Sequence, residues 1–293
     1  MEKNQIIILE NRGTISVTGD DAEDFLQNLI TNDIKKVTKN NSIFSALLTP
    51  QGKYLNEFFI IKLDDGYILD CIENSTDELI EILSKYKLRS KIKITDLSSN
   101  YVVGIISSKK FRDLQIEVKS NDNTILFRDT PIFSDPRRIE LGARIFSSLE
   151  KLYLSIKKLN LEIVESSKYY SLAFRYGIPE KGLENLKNQL FGLEANLENL
   201  QAIDFKKGCF IGQENTARMK LKNKLRRRLL GIKTSEKLNL GDDIIYNNTK
   251  IGKILINTPY SFGLIKMFDP SFEEFENKEL LISNKKCKIL KSI

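Results

Sequence analysis

Residues 205–214 read FKKGCFIGQE and form the densest group of chemically distinctive side chains in this 293-residue sequence. A single cysteine, Cys209, lies between two glycines, with two lysines before this group and a Gln-Glu pair after it. The other cysteines, Cys71 and Cys287, are far away along the chain, and no two cysteines have the spacing of a metal site. A free cysteine is often a small buried apolar residue. The glycine frame around Cys209 favours a functional thiol instead.

The absence of histidine excludes the commonest catalytic arrangements. The chain cannot build a Ser-His-Asp triad, a Cys-His pair or a histidine general base. A zinc site would need cysteines and carboxylates alone, and three dispersed cysteines make a poor one, so we predict no resident metal. Any catalysis has to use carboxylates, lysine, tyrosine, the thiol or a bound cofactor.

The composition, with 41% apolar and 29% charged residues, is that of an ordinary soluble protein. The net charge of +7 indicates an anionic ligand or partner, although scattered lysines more often reflect composition than a binding surface. No apolar run approaches the roughly 18 residues of a membrane helix, and the N-terminal run is too short for a signal peptide. Isolated cysteines indicate a reducing compartment, so we expect a cytoplasmic protein without membrane contact.

Hydrophobic patterning divides the chain into a mixed α+β region and an all-β region. Up to about residue 222, amphipathic helical patterns alternate with strand-like runs. From residue 223 onward, short strand-like runs follow one another, separated by turn residues and without a helical period. We therefore predict two domains, residues 1–222 and residues 223–293, of which the second is a small antiparallel barrel or sandwich.

Three local patterns in the N-terminal region predict specific structures. Residues 6–18 contain two apolar runs around a short polar turn, which is typical of a β-hairpin. Residues 43–72 predict a three-stranded meander. Ser75 and Glu78 have the spacing of a capping box, which would begin a helix at residue 76.

The segment at residues 205–214 also points to a family. Residues 207–214 fit the pattern K-G-C-[FY]-x-G-Q-E, and the chain resembles the YgfZ-like branch of the folate-binding proteins related to the glycine-cleavage aminomethyltransferase. Weaker matches are collinear with this signature: TGDDAEDFLQNLITNDI from residue 18, ALLTPQGKYLNEFFI from residue 46, YGIPE from residue 176 and LEANLENL from residue 193. Together they reach nearly from end to end, and the signature is their specific part.

The resemblance implies a fold of the α+β class. Family members form a cloverleaf of two interleaved α+β units around a central folate channel, plus a C-terminal antiparallel β-barrel, which agrees with the patterning of this chain. The branch is linked to the assembly and maintenance of iron–sulfur clusters. The implied ligand is tetrahydrofolate, with or without a polyglutamate tail, and the implied partners are iron–sulfur client enzymes or assembly proteins.

Two sets of residues are expected to bind the folate. Glu194 and Asn196 can recognise the amide and amino edge of a pterin, because a carboxylate accepts N–H bonds and an amide both donates and accepts. The alternative for this pair is an ordinary polar loop. The signature implies contributions from further residues, and an arginine after it is a candidate for a carboxylate contact. These residues are Lys207, Gly208, Gly212, Gln213, Glu214 and Arg218.

The two glycines of the signature allow two interpretations. Gly208 and Gly212 can permit a turn and close packing beside a strand, or they can let the backbone approach a ligand. Pattern alone favours packing, and the resemblance favours the ligand.

The basic run KLKNKLRRRLL, which begins at Lys220, also has more than one interpretation. As a strand it would place Lys222, Lys224, Arg226 and Arg228 on one face. Such a face is usually solvated. It could also hold the polyglutamate tail of a folate, or RNA. RNA is less favoured because no stacking aromatic residues are interleaved with the charges.

Two positions depart from the family pattern. The transferase branch uses an acidic pair in a G-G-x-x-D-D stretch, where this chain has Asn56 and Glu57. Asn56 cannot ionise, which favours the iron–sulfur branch over aminomethyl transfer. The branch usually has an arginine where Ala173 aligns here, and Arg175 is the nearby residue that could replace it.

The sequence therefore predicts a tetrahydrofolate-binding accessory protein that assists the assembly or repair of iron–sulfur clusters, with Cys209 as its functional thiol. Lys206 and Lys207 lie just before Cys209, and nearby cations stabilise a thiolate. No residue pattern identifies a reaction on the folate. The rival functions are a folate-dependent aminomethyltransferase, with Glu57 as its candidate acid, and a transfer-RNA-binding protein.

Overall fold

The structure is a computed structural model that describes residues 1–222 and 225–290 and divides the chain into two compact units. The first unit consists of Met1–Leu47, Asn56–Tyr169 and Leu200–Ile211. The second unit consists of Leu48–Leu55, Tyr170–Asn199 and Gly212–Ile293. Each unit is assembled from three separate segments, so the units are interleaved along the sequence. The predicted domain boundary after residue 222 adjoins two residues that lie outside the described part of the chain, and it stays a prediction.

The first unit is built on two β-sheets. The five-stranded sheet contains β2 (Arg12–Thr18), β3 (Ile43–Leu48), β4 (Tyr54–Lys62), β5 (Gly66–Ile72) and β6 (Lys93–Asp96), in the order β3-β4-β5-β2-β6. The six-stranded sheet contains β1 (Gln5–Leu9), β7 (Val102–Ile106), β8 (Thr124–Phe127), β9 (Thr130–Ser134), β10 (Ala143–Ser147) and β11 (Glu162–Val164), in the order β11-β1-β7-β10-β9-β8. The meander predicted for residues 43–72 is confirmed, because β3, β4 and β5 are neighbours in their sheet.

The hairpin predicted for residues 6–18 is wrong. β1 pairs with β7 and β11 in the six-stranded sheet, whereas β2 pairs with β5 and β6 in the five-stranded sheet. Both strands have hydrogen-bonded neighbours on both sides, and apolar side chains such as Ile6 and Ile15 are fully buried. Each strand therefore gains more from its distant partners than from pairing with the other.

The helices bury the apolar stripes that their sequences predict. Helix α1 (Ala22–Leu29) buries four side chains at the spacing of one helical face, namely Ala22, Phe25, Leu26 and Leu29. The other helices are α2 (Thr76–Lys87), α3 (Ser108–Glu117), α4 (Leu149–Lys158), α5 (Ser167–Arg175), α6 (Gln213–Leu221) and α7 (Phe272–Phe275). Helix α2 begins at the predicted residue, but the side chain of Ser75 makes no capping hydrogen bond, so the predicted capping box is absent. None of the helices in the described part of the chain is long and apolar enough to cross a membrane.

A buried ion pair joins the two sheets of the first unit. Arg144 on β10 donates to Asp70 on β5 through Nη2, at 3.0 Å, and Arg12 on β2 donates to the other oxygen of Asp70 at 2.6 Å. Arg137 forms a second pair with Asp135, at 2.8 Å. These side chains are almost completely shielded from solvent, and removing one partner would leave a buried charge uncompensated.

The second unit contains the predicted barrel. Its strands are β12 (Arg227–Lys233), β13 (Asp243–Tyr246), β14 (Thr249–Ile256), β15 (Ser261–Lys266), β16 (Leu280–Ile282) and β17 (Lys285–Ile289). They close in the order β12-β15-β14-β13-β16-β17, and all their pairings are antiparallel. Isoleucines and leucines fill the interior, with Phe275 of α7 completely buried among them. The prediction of a mixed α+β chain with a C-terminal antiparallel barrel is therefore confirmed.

Candidate functional site

Residues 207–211, the first part of the signature, belong to the first unit, where Lys207 ties them to the end of α1. The ammonium group of Lys207 is buried and donates to three backbone carbonyl oxygens: those of Gln27 at 2.7 Å, Ile30 at 2.6 Å and Asn32 at 3.0 Å. Carbonyls at the C-terminal end of a helix lack partners within the helix, and the helix dipole favours a cation there. Lys207 therefore caps α1.

The surroundings of Lys207 act on its pKa in opposite directions. Burial lowers the pKa of the ammonium group to about 8, whereas the nearby carboxylates of Asp33 and Asp204 raise it. The three carbonyl oxygens match the three hydrogens of an ammonium group, so the visible role of Lys207 is to hold the signature segment in place. A direct contact with folate, implied by the resemblance, stays a prediction for this residue.

Two polar side chains that follow α1 hold the chain just before the signature. Thr31 Oγ1 donates to the carbonyl oxygen of Ala202 at 2.6 Å, and Asn32 Nδ2 donates to that of Gln201 at 2.9 Å. Both side chains are buried. Sequence reasoning did not identify them. The sequence offered one signal for them, namely that two polar residues directly follow an amphipathic helix. Polar groups that become buried at such a place need hydrogen-bond partners.

The three cysteines differ in accessibility. Cys209 is exposed, whereas Cys71 and Cys287 are buried. Burial raises the pKa of Cys71 to about 11 and also raises the pKa of Cys287. A buried thiol with a raised pKa stays protonated and shielded from reagents. The structure therefore presents Cys209 as the accessible thiol of the chain.

The first glycine of the signature is not required by packing. Among the described residues, no atom lies within 4 Å of the position that a Cβ atom would occupy at Gly208. The residue is exposed and its backbone is outside the left-handed region. The glycine therefore leaves the backbone beside Cys209 open to approach, as the ligand interpretation requires.

The second glycine is required by the fold. Gly212, in the second unit, precedes α6 and has a φ of +83°, and a Cβ atom there would lie 2.5 Å from the carbonyl oxygen of Thr49. Asn215 of α6 donates to the carbonyl oxygen of Gln51 at 3.1 Å, so the start of the helix packs on this turn. The packing interpretation accounts for Gly212 without a ligand.

The two glycines should respond very differently to alanine. Gly212→Ala should lower the free energy of unfolding by about 2 kcal/mol, because the methyl group meets a backbone oxygen and the left-handed backbone is strained. Gly208→Ala should change it by less than about 0.5 kcal/mol, as expected for an open surface position. Urea denaturation of both variants measures the difference. Equal losses would show that the signature loop packs in another way.

The expected pterin-binding pair lies in the second unit, next to the start of β12. Glu194 is buried, and its carboxylate accepts hydrogen bonds from Arg227 Nε at 2.9 Å and from the backbone N–H of Phe191 at 3.0 Å. The Arg227 side chain is about half exposed, at 46%. The sequence had not identified Arg227 as the partner of Glu194, because 33 residues separate them. A carboxylate held by an arginine and a backbone amide is a preorganised acceptor.

Asn196 lies beside this pair and has an unsatisfied acceptor. Its Nδ2 donates to the carbonyl oxygen of Leu229 at 2.6 Å, while its buried Oδ1 has no hydrogen-bond partner among the described residues. The residue has a φ of +62°, which asparagine tolerates better than most side chains. The amide is therefore fixed by β12, and its buried oxygen is left without a donor among the described residues.

The remaining signature residues lie on α6. Gln213 begins the helix, and Glu214 forms an exposed ion pair with Arg218 one turn later. Exposed pairs of this kind contribute only about 0.3–0.5 kcal/mol, so Arg218 could exchange this partner for a ligand carboxylate at little cost. Ligand binding by these three residues stays a prediction.

The basic run from Lys220 is not a single strand. Its first residues complete α6 and its last residues begin β12. The prediction that Lys222, Arg226 and Arg228 share one strand face is therefore wrong, and Lys224 lies outside the described residues. Basic side chains favour the negative end of a helix, which explains why the helical conformation continues into the run.

The positions that depart from the family pattern are also placed by the structure. Asn56 on β4 is buried, and its Nδ2 has no hydrogen-bond partner within the described part of the chain. Glu57 follows it and is partly exposed. Ala173 is fully buried in α5, whereas Arg175 at the end of this helix is exposed. Across residues 1–222 and 225–290, no group of three or more cysteine or carboxylate side chains could hold a metal ion.

Comparison with known proteins finds relatives along most of the chain. Residues 2–108 match the family described as the GCVT N-terminal domain. The iron–sulfur cluster assembly factor IBA57 homologue of Mycosarcoma maydis is 30% identical over 235 residues, which cover 75% of this chain and 55% of that protein. The homologue of the same name from Dictyostelium discoideum is 27% identical over 284 residues, covering 85% of this chain and 68% of that protein. The chain thus spans about half to two thirds of the length of these relatives.

A solved structure supports the fold. The glycine cleavage system aminomethyltransferase T from Bartonella henselae superimposes with a TM-score of 0.66, covering 97% of this chain and 83% of that chain at 16% identity. Because the identity is so low, this likeness concerns the fold alone. It confirms the aminomethyltransferase-like fold that the resemblance implied.

The predicted cytoplasmic location is wrong. The relatives are named as mitochondrial proteins, which contradicts it. The prediction rested on free cysteines, which indicate a reducing environment but do not distinguish one such compartment from another. The family resemblance itself is confirmed: the chain is similar to proteins named as iron–sulfur cluster assembly factor IBA57 homologues, and its residues 2–108 match the GCVT N-terminal domain.

Proposed function

We propose that this protein is a tetrahydrofolate-binding accessory factor that assists the assembly or repair of iron–sulfur clusters in client enzymes. The names of its curated relatives support the iron–sulfur part of the proposal. The observation that carries it is the exposed Cys209 in a signature segment that Lys207 fixes to α1. An accessible thiol on a fixed loop can ligate iron transiently or exchange with the sulfur of a partner, whereas buried thiols cannot.

Hydrogen-bonding groups of the second unit fit a folate. Asn196 Oδ1 is a buried acceptor and Arg228 Nε a buried donor, and neither has a partner among the described residues. The pterin ring offers N–H donors and the glutamate tail offers carboxylates, so a folate would satisfy both groups. Glu194 and Arg227 add a charged pair to the same segment. A bound tetrahydrofolate would supply a reduced pterin able to carry a one-carbon unit.

The rival functions have weaker support. Aminomethyl transfer requires an ionisable acid where this chain has Asn56, whose amide is buried on β4. Glu57 is the remaining acid at this place, and it is the neighbouring residue on the strand. Nucleic-acid binding rested on a continuous basic strand, and the structure divides that run between a helix and a strand.

A calorimetric titration with tetrahydrofolate, under anaerobic conditions, should show one site per chain. Glu194→Gln should weaken binding by about tenfold or more, because a hydrogen bond to a charged group contributes about 1.5–3 kcal/mol. Bound folate should also raise the melting temperature of the wild-type protein, since a ligand specific for the folded state stabilises it by mass action.

Glu279→Gln is the matched control for this titration. Glu279 also belongs to the second unit but forms an exposed ion pair with Lys286, so its replacement should leave folate affinity unchanged. If the titration gives no heat and folate gives no thermal shift at concentrations far above micromolar, the folate part of the proposal is excluded. The iron–sulfur part is tested separately, through Cys209.

A further inference from the structure

The chain that joins α2 to β6 in the first unit is strongly basic, and the proposed function does not use it. Residues 82–95 contain no acidic residue and five basic ones, which are Lys85, Lys87, Arg89, Lys91 and Lys93. We call residues 85–93 the basic segment. Its cations are exposed apart from that of Lys87, which is half-buried. Clusters of about four to eight lysines and arginines are typical of surfaces that contact anionic lipids.

Nearby carboxylates offset only part of this charge. Glu81 pairs with Lys85 at 2.6 Å, and Asp21 accepts a hydrogen bond from the backbone N–H of Lys91 at 2.6 Å. The other three cations form no ion pair with any described residue, namely Lys87, Arg89 and Lys93. The basic segment therefore keeps a positive charge that the rest of the described chain does not neutralise.

An apolar side chain lies in the middle of the basic segment. Leu88 is 88% exposed, more than any other large apolar side chain in the described part of the chain. Lys87 precedes it and Arg89 follows it, and Tyr86 is also exposed, at 40%. Single exposed leucines are common on protein surfaces. This one is distinctive because cations flank it on both sides.

The backbone at Leu88 is also strained. It ends α2 with a φ of +43° and a ψ of −112°, a conformation that glycine adopts easily and a bulky residue does not. The helix dipole accounts for cations in the last turn of α2, and lysines protect an edge strand such as β6 from unwanted pairing. Neither effect accounts for a leucine that is strained and makes no core contact. Such a residue indicates contact with something outside the chain.

We propose that the basic segment binds the surface of a membrane that contains anionic lipids. Such a surface has negative headgroups on the outside and apolar chains directly beneath them. Leu88 would enter the apolar boundary, and Tyr86 would lie at the level of the headgroups, where amphipathic rings are favoured. The lysine and arginine side chains would reach the lipid phosphates, because their long stems allow the charged end to stay in the headgroup layer.

A lipid surface fits the basic segment better than a nucleic acid does. A nucleic acid offers phosphates to the cations but no apolar layer to the leucine, and base stacking would depend on Tyr86 alone. The expectation of no membrane contact rested on the lack of an apolar run long enough to span a bilayer. A protein that lies on the membrane surface needs no such run.

Sedimentation of the full-length protein with lipid vesicles tests the proposal. Vesicles of phosphatidylcholine with about 30% phosphatidylserine should bind it at least about tenfold more tightly than vesicles of phosphatidylcholine alone. Raising the salt from about 0.05 M to about 0.5 M should weaken this binding, because salt screens exposed charges. The chain contains no tryptophan, so Leu88→Trp supplies a single fluorescent reporter. Its emission should move to shorter wavelength on the anionic vesicles.

Two variants separate the contribution of the charges from that of the leucine. Replacing Lys87 and Arg89 together by methionine should weaken vesicle binding about 25-fold, since each basic residue near an anionic surface contributes about 1 kcal/mol. Leu88→Gly should weaken it about tenfold, through the loss of the apolar side chain. The urea midpoint of Leu88→Gly should stay the same or rise, because glycine relieves the strained backbone. Its weaker binding therefore cannot result from unfolding.

Replacing Lys157 and Lys158 together by methionine is the matched control, because it removes the same charge from the last turn of α4 and should leave vesicle binding unchanged. Equal weakening by both double variants would attribute binding to net charge and overturn the proposal. The proposal also fails if the anionic vesicles do not bind, or if Leu88→Gly binds them as tightly as the wild type. Binding of a single-stranded oligouridylate in place of the vesicles would make the basic segment a nucleic-acid surface instead.

Discussion

Replacing Cys209 by alanine should leave a folded protein that still binds tetrahydrofolate but no longer supports iron–sulfur client enzymes in cells. The side chain is exposed and contributes no core packing, so the free energy of unfolding should change by less than about 0.5 kcal/mol. Client activity should fall to the level of cells that lack the protein. The measurement is the activity of cluster-dependent enzymes in a deletion strain that expresses the variant.

Cys71→Ala and Cys287→Ala are the matched controls. Both thiols are buried, so each replacement should cost about 1 kcal/mol of stability through lost packing while client activity is retained. In the wild-type protein, iodoacetamide should modify Cys209 at least about tenfold faster than either buried cysteine, as peptide mass mapping would show. Full client activity in Cys209→Ala would make this thiol dispensable and remove the observation on which the proposed function rests.

The barrel could be predicted from the sequence because its signals are local. Each strand from β12 to β17 is a short apolar run bounded by turn residues, and each pairs with strands within about the same 60 residues. The first two strands show the opposite case. β1 and β2 look like a hairpin locally, but β1 takes its partners from β7 and β11, about 100 residues or more along the chain. A local pattern contains no information about such partners.

In the candidate site, too, some features could be predicted from the local sequence and others depend on distant residues. The glycine frame of Cys209 predicted an accessible thiol, and the structure exposes it. The partners of Lys207 lie 175 to 180 residues earlier and are backbone carbonyls, which no side-chain pattern can identify. The two glycines looked equivalent in the sequence. Only the space around each one separates Gly208, which packing does not require, from Gly212, which it does.

Lys207→Met should be the most destabilising single replacement in the signature, lowering the free energy of unfolding by about 3 kcal/mol at neutral pH. Methionine fills similar space but leaves three carbonyl oxygens at and just after the end of α1 without their donor. Hydrogen bonds to charged groups contribute more to the free energy of unfolding than hydrogen bonds between neutral groups do. Urea denaturation measures the loss. Lys206→Met is the matched control, because Lys206 is exposed and its replacement should stay within about 0.5 kcal/mol of the wild type.

The stability difference between wild type and Lys207→Met should also depend on pH. Burial lowers the pKa of folded Lys207 to about 8 from its ordinary value of 10.5, so above about pH 8 the unfolded chain binds more protons at this residue than the folded chain does. Stability rises with pH wherever the unfolded state binds more protons. The wild type should therefore gain stability relative to Lys207→Met as the pH increases from about 8 to about 10, while other titrating groups cancel in the comparison. If the stability difference between wild type and Lys207→Met narrows over this range, the three carbonyl oxygens favour the ammonium form of Lys207 more than burial opposes it. If Lys207→Met is as stable as Lys206→Met at every pH, the hydrogen bonds to these three carbonyl oxygens do not hold the signature in place.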